Sequence, residues 1–294
     1  MPSRRYLQLD VFADRPGAGN PLAIVLDAQG LDDTAMQAIA RWTRLPETTF
    51  VFPPTKPGAS YGIRMFSPRR EVPFAGHPSV GTAHVVLEAG IATPVDGHLW
   101  QEGIAGVLPL AVSGEGSGRT IAVRTPRARV LEIASEHDPR LQAVLSGLRL
   151  GALPPALMDG GRRWWLAEFA DEATLRAAQP DWAAIATLAE STESMGLCGF
   201  ARADAGRDYQ LAVRAFVGAP AQFEDAASGA ANATLAAWLK HNDALPGQGG
   251  RYTVSQGREV GFDARIDLCV DADGEVWSGG HICNVVRGTI DWPV

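Results

Sequence analysis

Along the N-terminal part of the chain, apolar and polar positions alternate in short blocks interrupted by helical periods. Leu7, Leu9 and Val11 alternate with Gln8 and Asp10, the period of a half-buried strand, and Pro21 to Leu26 is a second, apolar run after the turn Gly17-Ala18-Gly19-Asn20. Met36, Ile39, Ala40 and Thr43 fall at helical spacing, after which Thr48 to Phe52 and Tyr61 to Phe66 return to strand character. Beyond Pro68-Arg69-Arg70-Glu71-Val72-Pro73 comes a small-residue loop, Phe74-Ala75-Gly76-His77. It opens a helix: Pro78 suits the first turn, Val80, Ala83, His84 and Leu87 share a face, and Gly90 suits the end.

The same plan returns further on. Asp138-Pro139 opens a helix with Leu141, Val144, Leu145 and Leu148 on one face, and Trp164 to Phe169, Met195 to Ala201 and Tyr209 to Phe216 read as strands. A second small-residue loop, Glu224-Asp225-Ala226-Ala227-Ser228-Gly229, runs into a helix whose Ala231, Leu235, Trp238 and Leu239 share a face. Arg251 to Ser255, Ile266 to Val270 and Glu275 to Ser278 follow as strands, with Asp273-Gly274 as a turn. Strands, a small-residue loop and one buried helix therefore occur twice. The expected fold class is mixed α/β in two similar domains, divided at the Gly/Ser stretch Ser113 to Gly118 or at the turn near Pro126. The assignment is 1–118 for the N-terminal domain, completed by 280–294, and 119–279 for the C-terminal domain.

A length of 294 residues fits two domains. With 26 Lys and Arg against 33 Asp and Glu the net charge is −7, which argues against nucleic acid or an anionic membrane as partner, since either needs a basic face. Gln8, Asp10 and Asp14 interrupt any signal-peptide core after Arg4 and Arg5, and no run approaches the ~18 apolar residues of a membrane span. Cys198, Cys269 and Cys283 are odd in number and widely spaced, which fits neither a disulfide framework nor a thiolate zinc site and suggests a cytoplasmic setting. His281-Ile282-Cys283 supplies two metal ligands at most, so no metal is expected. Gly247 to Gly250 and Gly279-Gly280 lack the strand-to-helix context of a phosphate loop, and no Gly-x-Ser-x-Gly supports a serine hydrolase.

The first turn of a helix leaves backbone N–H groups unpaired and carries partial positive charge, so each small-residue loop is a ready site for a carboxylate. Glu47, in Leu45-Pro46-Glu47-Thr48, lies between helix and strand, where a carboxylate could transfer a proton or simply be solvated. His77 at the helix start could reach a ligand or serve as a cap, and Asp225 could do the same or form an Asx turn. Of the other histidines, His84 reads as a core or crevice residue, and His98, His137 and His241 as strand-end, cap and surface positions.

At this point the residues resemble a known family. Asp10-Val11-Phe12, Asp14-Arg15-Pro16, Gly19-Asn20-Pro21-Leu22-Ala23, Glu47-Thr48-Thr49-Phe50, Phe66-Ser67-Pro68, Glu71, Pro73-Phe74-Ala75-Gly76-His77-Pro78 and Gly81 follow the order and spacing of the phenazine-biosynthesis PhzF-like proteins. Arg214, Phe216, Glu224-Asp225-Ala226-Ala227-Ser228-Gly229-Ala230-Ala231 and Gln256-Gly257 extend the resemblance over almost the whole chain. It implies a diaminopimelate-epimerase-like fold, each domain a curved mixed sheet wrapped around a central helix, with the active site between the two. It also implies a homodimer. The related epimerases carry a thiol in each loop, where this chain resembles them at Ala75 and Ala227, so two-thiol racemisation is not expected.

The resemblance makes Glu47 the catalytic acid/base, taking a proton from one ring carbon and returning one to another, as in isomerisation of a dihydro-hydroxyanthranilate. His77, Asp225, Gly76, Gly229 and Ser228 correspond to substrate-binding positions, and no cofactor is required. Three departures stand out: Ala230 replaces a substrate-binding serine, Gly261-Phe262-Asp263-Ala264 replaces Gly-Arg-Pro-Ser, and Pro46 replaces the serine before the glutamate. The expected function is a cofactor-free isomerase of a small carboxylate-bearing, cyclic metabolite, its substrate left open. A non-catalytic small-molecule binding protein on the same fold and an amino-acid epimerase are the alternatives.

Overall fold

The period-two alternation at the N-terminus forms β1 (Ser3–Val11), and the apolar run after it forms β2 (Asn20–Val25). These strands open a computed structural model that describes residues 3–135 and 138–293, so His137 lies outside the described residues. The chain divides into two units, the first comprising residues up to Arg124 together with those from Gly279 onward, the second Thr125–Ser278.

In unit 1, α1 (Asp33–Thr43) starts where the Asp32 carboxylate accepts the Ala35 N–H at 2.7 Å, and it ends at Arg44 in the left-handed region, φ 57°. Strands β3 (Glu47–Phe52), β4 (Tyr61–Phe66) and β5 (Glu71–Val72) follow, then α2 (Gly76–Glu88), β6 (His98–Gly103), β7 (Gly106–Ser113) and β8 (Thr120–Arg124). The order β1-β2-β3-β4-β6-β7 alternates antiparallel and parallel neighbours, with β5 paired to the end of β4. Met36 and Ile39 of α1 pack with Val25, Phe50 and Phe66. Helix α2 is enclosed, touching β1, β2, β3, β6 and β8, and Gly76 through Val86 are all buried. The sequence suggests one apolar face; the helix is instead buried all round by apolar and small residues together with the rings of His77 and His84, as a central helix requires. A Cβ at Gly81 would stand 2.6 Å from Leu22 Cδ2 and 2.8 Å from Val11 Cγ2, so only glycine admits this approach of helix to sheet.

Unit 2 repeats the arrangement. Its elements are β9 (Arg129–Ile133), α3 (Pro139–Leu145), β10 (Ala156–Asp159), β11 (Arg163–Glu168), α4 (Glu172–Ala177), α5 (Trp182–Ser191), β12 (Gly196–Arg202), β13 (Leu211–Val217), β14 (Phe223–Asp225), α6 (Gly229–His241), β15 (Arg251–Gln256) and β16 (Ala264–Val270). The order β10-β11-β12-β13-β15-β16 has the same sequence of antiparallel and parallel neighbours, with β14 on the end of β13. Leu175, Ile185 and Leu188 pack with Trp165, Leu197 and Phe216, while α6 touches β10, β11 and β16. The chain leaves unit 2 along β17 (Val276–Gly280), and β18 (Ile282–Asp291) pairs with β1 as β9 pairs with β10. This is a mixed α/β, diaminopimelate-epimerase-like fold, and among the described residues no helix is long and apolar enough to cross a membrane.

Side chains fix the alignment of the two repeats. Arg64 lies over Phe66 at 5.1 Å and binds Glu71 at 2.6 Å, while Arg214 lies over Phe216 at 4.8 Å and binds Glu224 at 2.8 Å. Phe66 faces Thr48 and Phe216 faces Leu197, so Glu47 corresponds to Gly196. The equal spacing from Glu71 to Gly76 and from Glu224 to Gly229 matches His77 with Ala230 and Ala75 with Ser228.

Unit 2 also holds a buried charge network. Burial pushes the Glu172 carboxyl upward, but hydrogen bonds from Tyr209, Arg176 and the Asp204 amide, with the Arg176 charge, more than offset this and hold it at about 2. A carboxyl depressed on folding contributes stability that is present above its unfolded pKa and lost as pH falls through the folded one. Melting temperature is therefore expected to fall as pH drops from about 4.5 toward 2, with a shallower dependence in Glu172→Gln, as followed by thermal denaturation across that range.

Candidate functional site

Glu47 owes its place to the turn that delivers it. Arg44 ends α1 in the left-handed region, and the Thr43 and Thr48 hydroxyls meet at 2.9 Å, closing the short connection from which Glu47 emerges as the first residue of β3. Successive strand residues alternate faces, so Glu47 and Thr49 point the same way. The Thr49 hydroxyl meets Thr82 of α2 at 2.8 Å in the interior, and this buried bond locks β3 to the helix that carries His77. The result brings together two of the residues singled out from sequence: His77 Nε2 lies 3.5 Å from Glu47 Oε2, with side chains only 8% and 14% exposed.

The α2 N-terminus is held from behind. Its cap residue Ala75 is extended, φ −150° and ψ 142°, and its methyl offers no acceptor to the first turn. The Ser79 hydroxyl donates to the Ala75 carbonyl at 2.9 Å and accepts from Gln101 Nε2 at 3.1 Å; the Tyr61 hydroxyl donates to the Gln101 amide oxygen at 3.2 Å. Gln101 and Ser79 are buried, and together they fix the loop that presents Gly76 and His77.

In unit 2, Gln256 plays the comparable part. Its amide oxygen accepts from the Ser228 N–H at 3.2 Å and from Asn232 Nδ2 at 2.8 Å, and its amide nitrogen donates to the Asp225 carbonyl at 2.7 Å. Behind the loop, Gly257 has φ 93°, and a Cβ there would overlap the Ala226 carbonyl. Ser228 caps α6 by accepting the Ala231 N–H at 3.3 Å, and the Asp225 carboxylate accepts the Ala227 N–H at 3.3 Å. Burial raises the Asp225 carboxyl above the usual range, opposed by hydrogen bonds from Ala227 and Ser228 and by the charge of Arg162. Asp225 also helps burial push the Cys198 thiol up to about 12, which keeps that sulfur neutral.

Unit 1 thus gathers Glu47, His77 and Gly76, and unit 2 gathers Asp225, Ser228 and Gly229. The cap positions that correspond are Ala75 and Ser228; the sequence comparison, which sets Ala227 beside Ala75, is offset by one residue, because Ala227 precedes the cap. His84 is buried and bonds Glu88 at 3.3 Å, His98 begins β6 and His241 ends α6. Gln101, Ser79 and Asn232 were not legible as supporting residues, since each is an ordinary polar residue within a strand or helix pattern.

The sequence profile of the family described as phenazine biosynthesis-like protein, PhzC-PhzF, matches residues 9–281. The chain is 29% identical over 297 residues to antisense-enhancing sequence 1 of Schizosaccharomyces pombe, covering 98% of this chain and 99% of that protein. It is 32% identical over 271 residues to the trans-2,3-dihydro-3-hydroxyanthranilate isomerase of Pseudomonas aeruginosa, covering 92% of each. Among solved structures, a PhzF-family protein of Bacillus anthracis superposes with a TM-score of 0.84 at 23% identity, covering 99% of this chain and 100% of that one. A hydroxyproline epimerase from Agrobacterium vitis shares the fold at a TM-score of 0.62 and 12% identity, covering 98% and 92%.

Proposed function

The chain belongs to the phenazine biosynthesis-like PhzC-PhzF family and is an isomerase, and from that premise we propose that it moves a proton between two carbons of a small, carboxylate-bearing cyclic metabolite with Glu47 as acid and base. The observation that carries the reading is the Glu47 carboxylate, 14% exposed and 3.5 Å from His77 Nε2 at the start of a buried helix. As carboxylate, Glu47 removes a proton from one carbon, and the electron pair of the broken C–H bond enters the conjugated system. As carboxylic acid, it returns a proton to a second carbon, so that one C–H bond breaks, one forms, and no net oxidation occurs. The chemistry asks nothing of a metal or organic cofactor.

Single-base isomerisation is favoured over two-base epimerisation by the repeat. The positions in unit 2 that match Glu47 and His77 carry Gly196 and Ala230, neither of which titrates. Substrate binding is assigned to His77 and Gly76 at the α2 N-terminus and to Asp225, Ser228 and Gly229 at the α6 N-terminus, since helix N-terminal amides suit a carboxylate. The substrate named for the Pseudomonas aeruginosa relative, trans-2,3-dihydro-3-hydroxyanthranilate, is the first candidate. Ala230 and Phe262-Asp263-Ala264, which replace the family's usual residues, favour a related cyclic acid as the physiological one.

A thermal-shift screen with that compound and with cyclic amino and hydroxy acids tests these assignments. At 100 times Kd a true ligand is expected to stabilise the protein by about 2.7 kcal/mol, and both His77→Ala and Asp225→Asn should diminish the shift. A shift left intact in either variant would remove that residue from the substrate-binding set.

A further inference from the structure

The α6 loop is held by Gln256 and Gly257, and those two residues are themselves bracketed by one guanidinium. Arg176, on α4, donates from Nη2 to the Ser255 hydroxyl at 3.2 Å and from Nη1 to Glu259 Oε1 at 2.9 Å, reaching both sides of the Gln256-Gly257 pair. The same guanidinium is anchored at its base, where Nε donates to Glu172 at 2.6 Å, and Nη2 also meets the Tyr209 hydroxyl at 3.4 Å. Tyr209 in turn donates to Glu172 at 2.6 Å and lies between Arg258 and Arg265, 5.3 and 4.9 Å from its ring centre. Arg258 and Arg265 share Asp263 at 2.8 and 2.7 Å, which folds residues 258–265 into a closed turn behind Gly257.

A buried ion pair of this kind is weak support for stability, because desolvation of both charges offsets their attraction; its distinctive contribution is to fix one geometry. Arg176 and Glu259 are 19% and 14% exposed, and the planar fork of arginine is the feature that lets one side chain hold two backbone segments at once. We infer that Arg176, through Ser255 and Glu259, is a positioning residue that sets the α6 loop by fixing Gln256 and Gly257. Its relevance to ligand binding rests on the function proposed above.

The test is the triple variant Arg176→Met/Glu259→Leu/Glu172→Gln, which replaces the pair by apolar side chains of similar size and removes the Glu172 charge that Arg176 also holds, so that no buried carboxylate is left without its partner. Its melting temperature is expected to stay close to the parent's, while hydrogen exchange at the Ala227, Ser228 and Ala231 amides, which depend on the loop contacts, rises at least about tenfold. A purely structural pair would give the reverse, a lower melting temperature with loop protection moving only with the rest of the unit, and that result, or unchanged protection, overturns the inference. Should the triple variant fail to fold, Arg176→Lys keeps the charge and loses the fork, and the same amides decide the matter. With trans-2,3-dihydro-3-hydroxyanthranilate as probe, KM is expected to rise about tenfold and kcat to change less than about threefold. Faster loop exchange with an unchanged KM would count against the ligand-binding role of the loop and leave the positioning of the loop by Arg176 established.

Discussion

Glu47→Gln is expected to lower kcat by about 10²–10⁴, the range typical of a positioned general acid or base, with little change in ligand affinity. Glutamine keeps the size of the side chain and a hydrogen-bonding oxygen, so the Thr43–Thr48 turn and the Thr49–Thr82 bond that place the residue have no reason to move. What is lost is the ionisable group. Steady-state kinetics on the turned-over ligand, beside its dissociation constant by thermal shift, separate the two effects. Weaker binding with unaltered turnover would make Glu47 a ligand contact and move the acid/base role elsewhere.

The largest structural effect is expected from Arg214→Met. Arg214 is 4% exposed, binds Glu224 through two hydrogen bonds of 3.0 and 2.8 Å, and donates from Nη1 to the carbonyls of Leu175, Arg176 and Ala178 at the end of α4. Its removal leaves the Glu224 carboxylate buried without its partner and strips the end of α4 of a donor, a loss of about 3–5 kcal/mol by the precedent of broken buried pairs. Arg64→Met removes the matching side chain of unit 1, but there Arg64 and Glu71 are 29% and 24% exposed and water can replace part of what is lost. Its cost is expected to be about 1 kcal/mol. Urea denaturation of both variants checks the ordering, and equal losses would show that burial does not govern the difference.

The repeat of strands, small-residue loop and helix was legible because each part has its own local signature: period-two alternation, loop glycines, and a proline at a helix start. The last strand was not. Residues 285–289 of β18 are exposed, so no alternation between buried and exposed faces marks it as a strand. Helix α5 is hard to read as well, although its cap, Asp181 accepting the Ala184 N–H at 3.0 Å, and the spacing of Ile185, Leu188 and Ala189 are signals for it. Alanine-rich flanks dilute that period. As for the site, local pattern places Glu47 and His77 only in separate loops, and the resemblance alone joins them in one active site. Their approach depends on a strand face shared with Thr49 and on a buried threonine pair, neither of which spacing reveals. Gln256 was visible through the resemblance, but its function as the brace of the α6 loop required the three bonds it makes.

Proton transfer by Glu47 is tested most directly by isotope exchange. The enzyme is incubated in D2O with trans-2,3-dihydro-3-hydroxyanthranilate, or with the cyclic acid that shifts its melting temperature, and the ligand is followed by NMR. Wild type should give an isomerised product carrying deuterium at the carbon that receives the proton, and Glu47→Gln should form product and label more slowly by the same factor of about 10²–10⁴. Binding without isomerisation or label in the wild type, or unchanged labelling in Glu47→Gln, would contradict it.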